Sequence, residues 1–168
     1  MPKNPKPLQV MGILNVTPDS FSDGGRYNQL DVAISRASEL IEHGADILDI
    51  GGESTRPGSD AVSEAEELER VIPVIEAIKQ RFEIPVSIDT TKAAVMTESV
   101  NAGASLINDV NALREARAVE AEARSGAEVC LMHMQGEPRT MQEQPHYDDV
   151  VCDVKRFFQE RIDVCTAA

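Results

Sequence analysis

The stretch from residue 46 to residue 58 reads DILDIGGESTRPG, and it changes character in the middle. Residues 47–50 are mainly apolar, which is typical of a short strand buried on both faces. Gly51 and Gly52 allow the backbone to turn, and the polar residues 53–58 follow. A surface loop would account for one such sequence. Apolar runs that end in polar residues occur five times in the chain, however, and this repetition indicates the fold.

The five apolar runs alternate with five helical patterns. We predict strands at residues 8–16, 46–50, 84–88, 105–107 and 128–132. We predict helices at about residues 29–43, from 63 onward, from 90 or 91 to 102, at 114–125 and from 147 onward. This alternation predicts an α/β fold with parallel strands and right-handed crossovers. No GxGxxG sequence follows the first strand, so a dinucleotide-binding fold has no direct support.

Two of the predicted helices carry a capping signal at their start. Ser63 begins the sequence Ser-Glu-Ala-Glu, which resembles a capping box. Thr90 or Thr91 is suited to cap the third helix. Pro73 lies inside the second helical pattern, and we expect it to kink that helix.

The composition excludes several classes of partner. The chain has 168 residues, of which 42% are hydrophobic, enough for one domain with a core. The net charge of −13 argues against nucleic acid or an anionic membrane as the main partner, since both require a basic surface. The sequence contains no run of 18 apolar residues, so we expect no transmembrane helix. The first ten residues contain no apolar core of a signal peptide. We therefore expect a cytoplasmic protein that binds small molecules.

The cysteines also fit a reducing compartment. Cys130, Cys152 and Cys165 are odd in number and show no CxxC spacing. Cys152 and Cys165 share one predicted helix and lie about 20 Å apart if it is continuous, too far for a disulfide. Reduced thiols are the expectation.

Polar residues follow every predicted strand. They are Asn15, the loop of residues 51–58, Asp89, Asn108 with Asp109, and His133 with Met134. The carboxyl ends of parallel strands meet at one edge of a sheet, and in a barrel they form the active site. We therefore expect these five clusters to converge on one site.

The residue types suggest what such a site binds. Asp89 and Asn108 can offer acceptors and a donor to the edge of a flat heterocycle, and a carboxylate can stabilise positive charge on a ring. Thr55, Asn15 and backbone amides suit phosphate or its metal, and the Asn15 oxygen is acceptable to Mg²⁺. One interpretation of His133 is that it acts as a base or as a ligand. The other interpretation, a hydrogen-bonded histidine at the end of a strand, is favoured. No cluster has zinc spacing.

Phe21 is an apolar residue within a polar, glycine-containing loop, residues 17–25. A single phenylalanine in a loop usually anchors the loop by packing. On a glycine-hinged loop it can also close over a ligand, as a lid does. Both interpretations are consistent with the sequence.

Five stretches together resemble dihydropteroate synthase. Residues 11–25, MGILNVTPDSFSDGG, resemble the first signature of that family, and residues 49–58, DIGGESTRPG, resemble the second. Three later blocks occur in the same order, at residues 87–92, 107–109 and 131–142. The resemblance extends over nearly the whole chain from Val10 onward.

The resemblance implies a transferase of folate biosynthesis that is the target of sulfonamides. Enzymes of this family join p-aminobenzoate to 6-hydroxymethyl-7,8-dihydropterin pyrophosphate, releasing pyrophosphate and forming dihydropteroate. The chemistry is thought to be dissociative: pyrophosphate leaves first, and the aniline nitrogen then captures a pterin methylene cation. The family fold is a TIM barrel, the cofactor is Mg²⁺, and the complete enzyme is expected to be a homodimer.

The resemblance also implies roles for individual residues. Asp89 and Asn108 would be catalytic and hold the pterin, while Asn15 would serve Mg²⁺ and pyrophosphate. Thr55 would lie near the phosphates, and the loops with Phe21, Arg56 and Pro57 would close over p-aminobenzoate. The full substrate-binding set is Phe21, Thr55, Arg56, Pro57, Asp89, Asn108 and Met132.

The length departs from the family pattern, because a TIM barrel typically needs about 250 residues. We expect residues 1–168 to form the N-terminal portion of a barrel, with about five of its eight β/α units. Family members carry a further aspartate, a Ser-Arg-Lys-Ser block and an Arg-x-His sequence that have no counterpart here. We therefore expect this chain alone to be inactive and poorly soluble or oligomeric. The alternatives are a non-catalytic pterin-binding remnant and a methyltetrahydrofolate-binding methyltransferase domain.

Overall fold

The order of helices and strands agrees with the sequence pattern. The structure is a computed structural model that describes residues 8–17, 26–53, 62–138 and 140–168, with the side chains of residues 26–28 left out. The strands are β1 (Met11–Asn15), β2 (Ile47–Gly51), β3 (Val86–Asp89), β4 (Leu106–Asp109) and β5 (Glu128–Leu131). The helices are α1 (Arg26–Glu42), α2 (Glu64–Arg81), α3 (Ala93–Asn101), α4 (Ala118–Ser125) and α5 (Val150–Thr166).

The five strands form one parallel sheet in the order β1-β2-β3-β4-β5. Each strand pairs with the strands before and after it, and a helix lies between them in the sequence. The predicted α/β fold of consecutive parallel β/α units is therefore confirmed. Within the described ranges β1 and β5 each pair with one strand only, so the sheet is an open, partial barrel.

The two faces of the sheet differ in burial. A Cβ atom built on Gly12 would lie 3.3 Å from Leu40 of α1, so this side of β1 faces the helices. The core on this side consists of fully buried strand and helix residues that include Leu48, Ile50, Val71, Ile75, Ile78, Val86, Ile88, Val95, Met96 and Ile107. On the other side of β1, Ile13 is 64% exposed. The first strand is therefore buried on its helix-covered face alone, because nothing in the described residues covers its second face.

The helix starts agree with the capping signals in part. Ser63 caps α2, and its hydroxyl accepts a hydrogen bond from the Glu66 amide at 3.2 Å, as predicted. The predicted threonine cap of α3 is wrong. Its N-cap is Lys92, which makes no side-chain capping bond, and the Thr90 hydroxyl accepts instead from the Lys92 amide.

Two helices begin later than predicted. The predicted start of α4 near residue 114 is wrong, because Arg117, the N-cap residue, adopts a left-handed backbone conformation with φ of 66°. Such a residue cannot continue a right-handed helix. The start of α5 is set by Asp149, whose carboxylate accepts hydrogen bonds from the amides of Val151 and Cys152.

No helix in the described part of the chain combines the length and apolar content needed to cross a bilayer.

Candidate functional site

Five residues stand side by side across the sheet at the carboxyl ends of the strands. The strand register pairs them in succession, in the order Asn15, Gly51, Asp89, Asn108 and Cys130. Residues in register on parallel strands project to the same face. This row, which we call the upper row, lies on the face opposite the helices. The structure thus brings together three of the predicted site residues, from β1, β3 and β4.

Gly51 leaves a gap in the upper row. A Cβ atom built at this position would lie 3.4 Å from Asn15 Oδ1 and 3.7 Å from Asp89 Oδ2. A side chain here would fill the space between the two oxygen atoms. The glycine therefore keeps a small cradle open, with an amide oxygen on one side and a carboxylate oxygen on the other.

Asp49 lies one layer below this cradle, in a row with Ser87 that we call the lower row. Its side chain is 4% exposed, and its Oδ2 accepts a hydrogen bond of 3.0 Å from Asn108 Nδ2. Asp49 was not among the predicted site residues. A signal was present, because a carboxylate within a short apolar strand requires a polar partner or a function.

The surroundings of Asp89 disfavour its negative charge. Burial is the largest effect, and the carboxylates of Asp49, Glu67, Asp109 and Glu53 add to it in that order, raising the pKa of Asp89 to about 7. A substantial fraction of Asp89 is therefore protonated at neutral pH in the free chain. A ligand that brings N–H donors or positive charge would relieve this cost, which is the behaviour of a binding-site carboxylate.

A partly buried ion-pair network lies beside the upper row. Lys92 bridges two carboxylates, donating to Glu53 and to the fully buried Glu67. Burial lowers the pKa of Lys92, but the hydrogen bonds and charges of both glutamates outweigh burial and raise it. The ammonium group is therefore held in its charged form. Sequence reasoning missed this network, because its members lie far apart in the chain: Glu53 follows β2, Glu67 is on α2, and Lys92 is the N-cap of α3.

The same network fixes the ends of the segment that follows β2. Glu53 Oε1 accepts a hydrogen bond of 3.3 Å from the Val62 amide, which spans the two ends of residues 54–61. Arg70 of α2 donates a hydrogen bond of 2.8 Å to the carbonyl of Gly52. A Cβ atom on Gly52 would lie 2.7 Å from Val71, so this position requires glycine for close approach to α2.

Asp109 does not join the site, and the expectation that it converges with Asn108 is wrong. Consecutive residues of a strand project to opposite faces. Asp109 is therefore on the helix side, fully buried, where it accepts hydrogen bonds of 2.7 Å from the amides of Asn111 and Leu113. Burial raises its pKa, although these hydrogen bonds oppose the effect. Its role is to fix the turn after β4, which Arg161 also holds by donating to two carbonyls of that turn.

His133 is placed by aromatic packing. Its ring centroid lies 4.8 Å from that of Phe157, in edge-to-face geometry, and 5.8 Å from that of Tyr147. Met134 is buried. Met132 is half-buried and donates its amide hydrogen to the Asp109 carbonyl, directly beyond β5. The register therefore places none of these three residues in the upper row, which ends at Cys130.

Four predicted site residues lie outside the described residues. They are Phe21, Thr55, Arg56 and Pro57. Their roles remain predictions. Cys130, which sequence analysis did not select, is the register neighbour of Asn108, and burial followed by the charges of Asp49 and Asp89 raises the pKa of its thiol.

A metal could be held in the cradle only with ligands from elsewhere. The described ranges contain no cluster of three or more histidine, cysteine, aspartate or glutamate residues suited to a metal ion. Asn15 Oδ1 and Asp89 Oδ2 do border the gap at Gly51. A hard cation such as Mg²⁺ fits this set, because it commonly takes one or two protein oxygens and completes its shell with water and phosphate.

A parallel β/α sheet with polar side chains gathered at the carboxyl ends of its strands defines the class of barrel-type enzymes. The sequence profile of the family described as "Pterin binding enzyme" matches residues 11–168. The chain belongs to this pterin-binding enzyme family.

Curated relatives and solved structures agree with this assignment. The chain is 59% identical over 159 residues to dihydropteroate synthase of Escherichia coli strain K12, covering 95% of this chain and 56% of that relative. It resembles the Yersinia pestis dihydropteroate synthase in complex with a sulfonamide drug, with TM-score 0.87, 60% identity, and coverage of 95% and 58%. It also resembles the Xanthomonas albilineans enzyme with 4-aminobenzoic acid, with TM-score 0.85, 53% identity, and coverage of 95% and 56%. The chain thus spans a little over half the length of these proteins.

Proposed function

We propose that this chain carries the pterin-binding part of a dihydropteroate synthase. The reaction would join p-aminobenzoate to 6-hydroxymethyl-7,8-dihydropterin pyrophosphate and release pyrophosphate, in folate biosynthesis. The observation that carries the proposal is the upper row, in which Asn15 and Asp89 border the gap at Gly51 and Asn108 stands beside Asp89. The similarity to dihydropteroate synthases over 95% of the chain supports the same reaction.

Asp89 and Asn108 are suited to hold the pterin ring. They are direct register neighbours on β3 and β4, so a flat ring edge can meet both. The pterin edge carries an amino group and ring N–H groups, which need acceptors. Binding such donors favours the ionised form of Asp89, whose pKa of about 7 in the free chain would then fall.

The same carboxylate can assist the chemistry. In a dissociative reaction the bond between the pterin methylene and the pyrophosphate oxygen breaks, and both electrons leave with pyrophosphate. The aniline nitrogen of p-aminobenzoate then bonds to the methylene carbon and loses a proton. A negative charge at Asp89 stabilises the cation that forms between these steps more than it stabilises the neutral substrate.

The remaining roles follow the family resemblance. Mg²⁺, when bound, would neutralise charge on the pyrophosphate, and Asn15 Oδ1 is the side-chain oxygen that would hold it. Thr55 would contact the phosphates, and Phe21, Arg56 and Pro57 would close over p-aminobenzoate. Met132, the first residue after β5, would contact substrate from that side.

We also propose a cytoplasmic location, which the three free cysteines support. A homodimer of the complete enzyme stays a prediction of the resemblance.

The test is a pyrophosphate-release assay with and without p-aminobenzoate. It is run on this chain and on a chimera in which the remaining part of the E. coli relative follows residue 168. We expect the chimera to release pyrophosphate only when p-aminobenzoate is present and to form dihydropteroate. The Asp89→Ala chimera should be slower by roughly tenfold to over a hundredfold, the value of a charged hydrogen bond.

The matched control is Arg36→Met, which removes a charge from the exposed face of α1. Its turnover should equal that of the unmodified chimera. An Asp89→Ala chimera with unchanged turnover would refute the assigned role of Asp89. A chimera that folds but makes no dihydropteroate would refute the proposed function.

A further inference from the structure

The hydrogen bond between Asn108 and Asp49 fixes which end of the Asn108 amide is available to a ligand. Asn108 Nδ2 donates a hydrogen bond of 3.0 Å to Asp49 Oδ2, and Asp49 is buried. An ionised carboxylate only accepts hydrogen bonds, whereas an amide has a donor end and an acceptor end. The donor end must therefore face Asp49, which leaves Oδ1 as the acceptor that Asn108 can offer elsewhere.

The opposite orientation of the amide is strongly disfavoured. It would turn Asn108 Oδ1 towards the buried carboxylate and place acceptors against each other. Asp49 Oδ1 is also buried and has no hydrogen-bond partner within the described residues, so the Asn108 amide is the one side-chain donor that the described residues supply to this carboxylate. Asp49 thus favours one orientation of the Asn108 side-chain amide.

We propose that Asp49 is a positioning residue that sets the ligand selectivity of the site. By fixing the Asn108 amide it makes two neighbours of the upper row, Asp89 and Asn108, present acceptors side by side. Such an edge selects a heterocycle with adjacent N–H donors, including an exocyclic amino group, over a ring of the same shape without them. The proposal deepens the proposed pterin binding and rests on it.

The geometry explains why a residue of the lower row can position the Asn108 amide. Asp49 is two residues before Gly51 on β2, so it projects to the same face one layer deeper. Gly51 has no side chain to separate Asp49 from the space above it. The Asp49 carboxylate reaches Asn108 on β4 across β3, which places the small residue Ser87 beside Asp49.

The test compares two probes of the same shape. The first is 6-hydroxymethylpterin, and the second is its analogue with methyl in place of the 2-amino group. Their dissociation constants are measured by calorimetry on the wild-type chain and on Asp49→Asn. The ratio of the two constants is the readout, because a loss of folded protein lowers both bindings alike and leaves their ratio unchanged.

We expect the wild-type chain to prefer the amino probe by about tenfold or more, the value of a hydrogen bond to a charged group. In Asp49→Asn the introduced amide can donate or accept, so the Asn108 amide can adopt both orientations. The preference should then fall to about threefold or less. The control is Ser87→Ala, a change in the lower row that removes a buried hydroxyl and leaves Asp49 and Asn108 in place, and it should retain the preference. An unchanged preference in Asp49→Asn would overturn the proposal.

A measurement on the wild-type chain covers the cases in which the variant does not fold or no probe binds. Exchange of the Asn108 side-chain amide protons with solvent is followed by NMR, with Asn101, an exposed residue of α3, as the reference. We expect exchange at Asn108 to be slower by about tenfold or more. Equal rates would overturn the inference whatever the binding result. Failure of the wild-type chain to bind either probe, with slow exchange at Asn108, would refute the proposed pterin binding and leave the amide fixed as inferred.

Discussion

At the scale of single residues, the site works against the stability of the fold. Asp89 is held among four other carboxylates in a partly buried position, and its pKa is about 7 instead of the ordinary 3.8. Charging it in the free chain is unfavourable, because burial and the four carboxylates all act against the charge. Sites that are arranged for a ligand commonly carry such a penalty.

Replacing Asp89 by asparagine should therefore stabilise the chain at high pH. Since the pKa of Asp89 is raised on folding, the native state binds the proton more tightly than the unfolded state. Wild-type stability should consequently fall as pH rises towards 7 and stay lower above it. Between pH 5.5 and pH 8.5 the wild-type chain should lose about 2 kcal/mol more than Asp89→Asn, as measured by urea unfolding.

The control for this experiment is Asp148→Asn, since the side chain of Asp148 is 100% exposed. Its unfolding free energy should follow that of the wild-type chain at both pH values. An Asp89→Asn variant with the same pH dependence as the wild type would show that Asp89 titrates normally.

At the scale of helices and strands, the sequence correctly predicted the helix starts and strand ends that neighbouring residues in the chain determine. Ser63 marks the start of α2 through its own hydroxyl. Asn15 and Asp89 end β1 and β3, and Asn108 with Asp109 ends β4, because polar residues replace an apolar run. The predicted start of α4 was wrong because the backbone at Arg117 is left-handed, after the turn that Asp109 holds. Local sequence did not encode that tertiary constraint.

The Lys92 network could not be predicted for the same reason. Lys92 and Glu67 are 25 residues apart in the chain and meet only when α2 and α3 pack side by side. Asp49 was missed because a strand pattern alone does not say whether a buried carboxylate faces helices or a site. The register decides this, since it places Asp49 in the row below Gly51.

Lys92 should contribute strongly to stability. Its loss in Lys92→Met leaves Glu67, which is fully buried, without a counter-ion. Removing one partner of a buried pair costs about 3–5 kcal/mol, which urea unfolding would detect. The double change Lys92→Met with Glu67→Leu should recover much of this loss, because no charge is then left buried.

The exposed pair Arg36–Glu39 provides the comparison. Its side chains are 54% and 52% exposed, so Arg36→Met should cost about 0.5 kcal/mol or less. If Lys92→Met lowers the unfolding free energy as little as Arg36→Met does, the ion-pair network does not stabilise the contact between α2 and Glu53.

At the scale of the whole molecule, the helix-covered face is closed and the other face is open. On β1, Met11 is 38% exposed and Ile13 is 64% exposed, on the side away from the helices. The strands β1 and β5 also have only one strand neighbour each within the described residues. Exposed apolar side chains beside an unpaired strand edge favour association with another chain.

We therefore expect the chain to self-associate in a concentration-dependent way, as sedimentation velocity would show. Ile13→Glu should weaken the association by about tenfold, since it removes roughly one buried aliphatic side chain from the contact. Leu8→Glu is the control, because Leu8 is 92% exposed but precedes β1. A wild-type chain that stays monomeric at all concentrations would contradict this expectation.

The central claim is that the upper row binds a pterin. It is tested most directly by calorimetric titration of the chain with 6-hydroxymethyl-7,8-dihydropterin pyrophosphate. We predict saturable binding of one ligand per chain, weakened by tenfold to over a hundredfold in Asp89→Ala and unchanged in Arg36→Met. Binding that is equally strong in wild type and Asp89→Ala, or no binding to the folded wild-type chain, would contradict the claim.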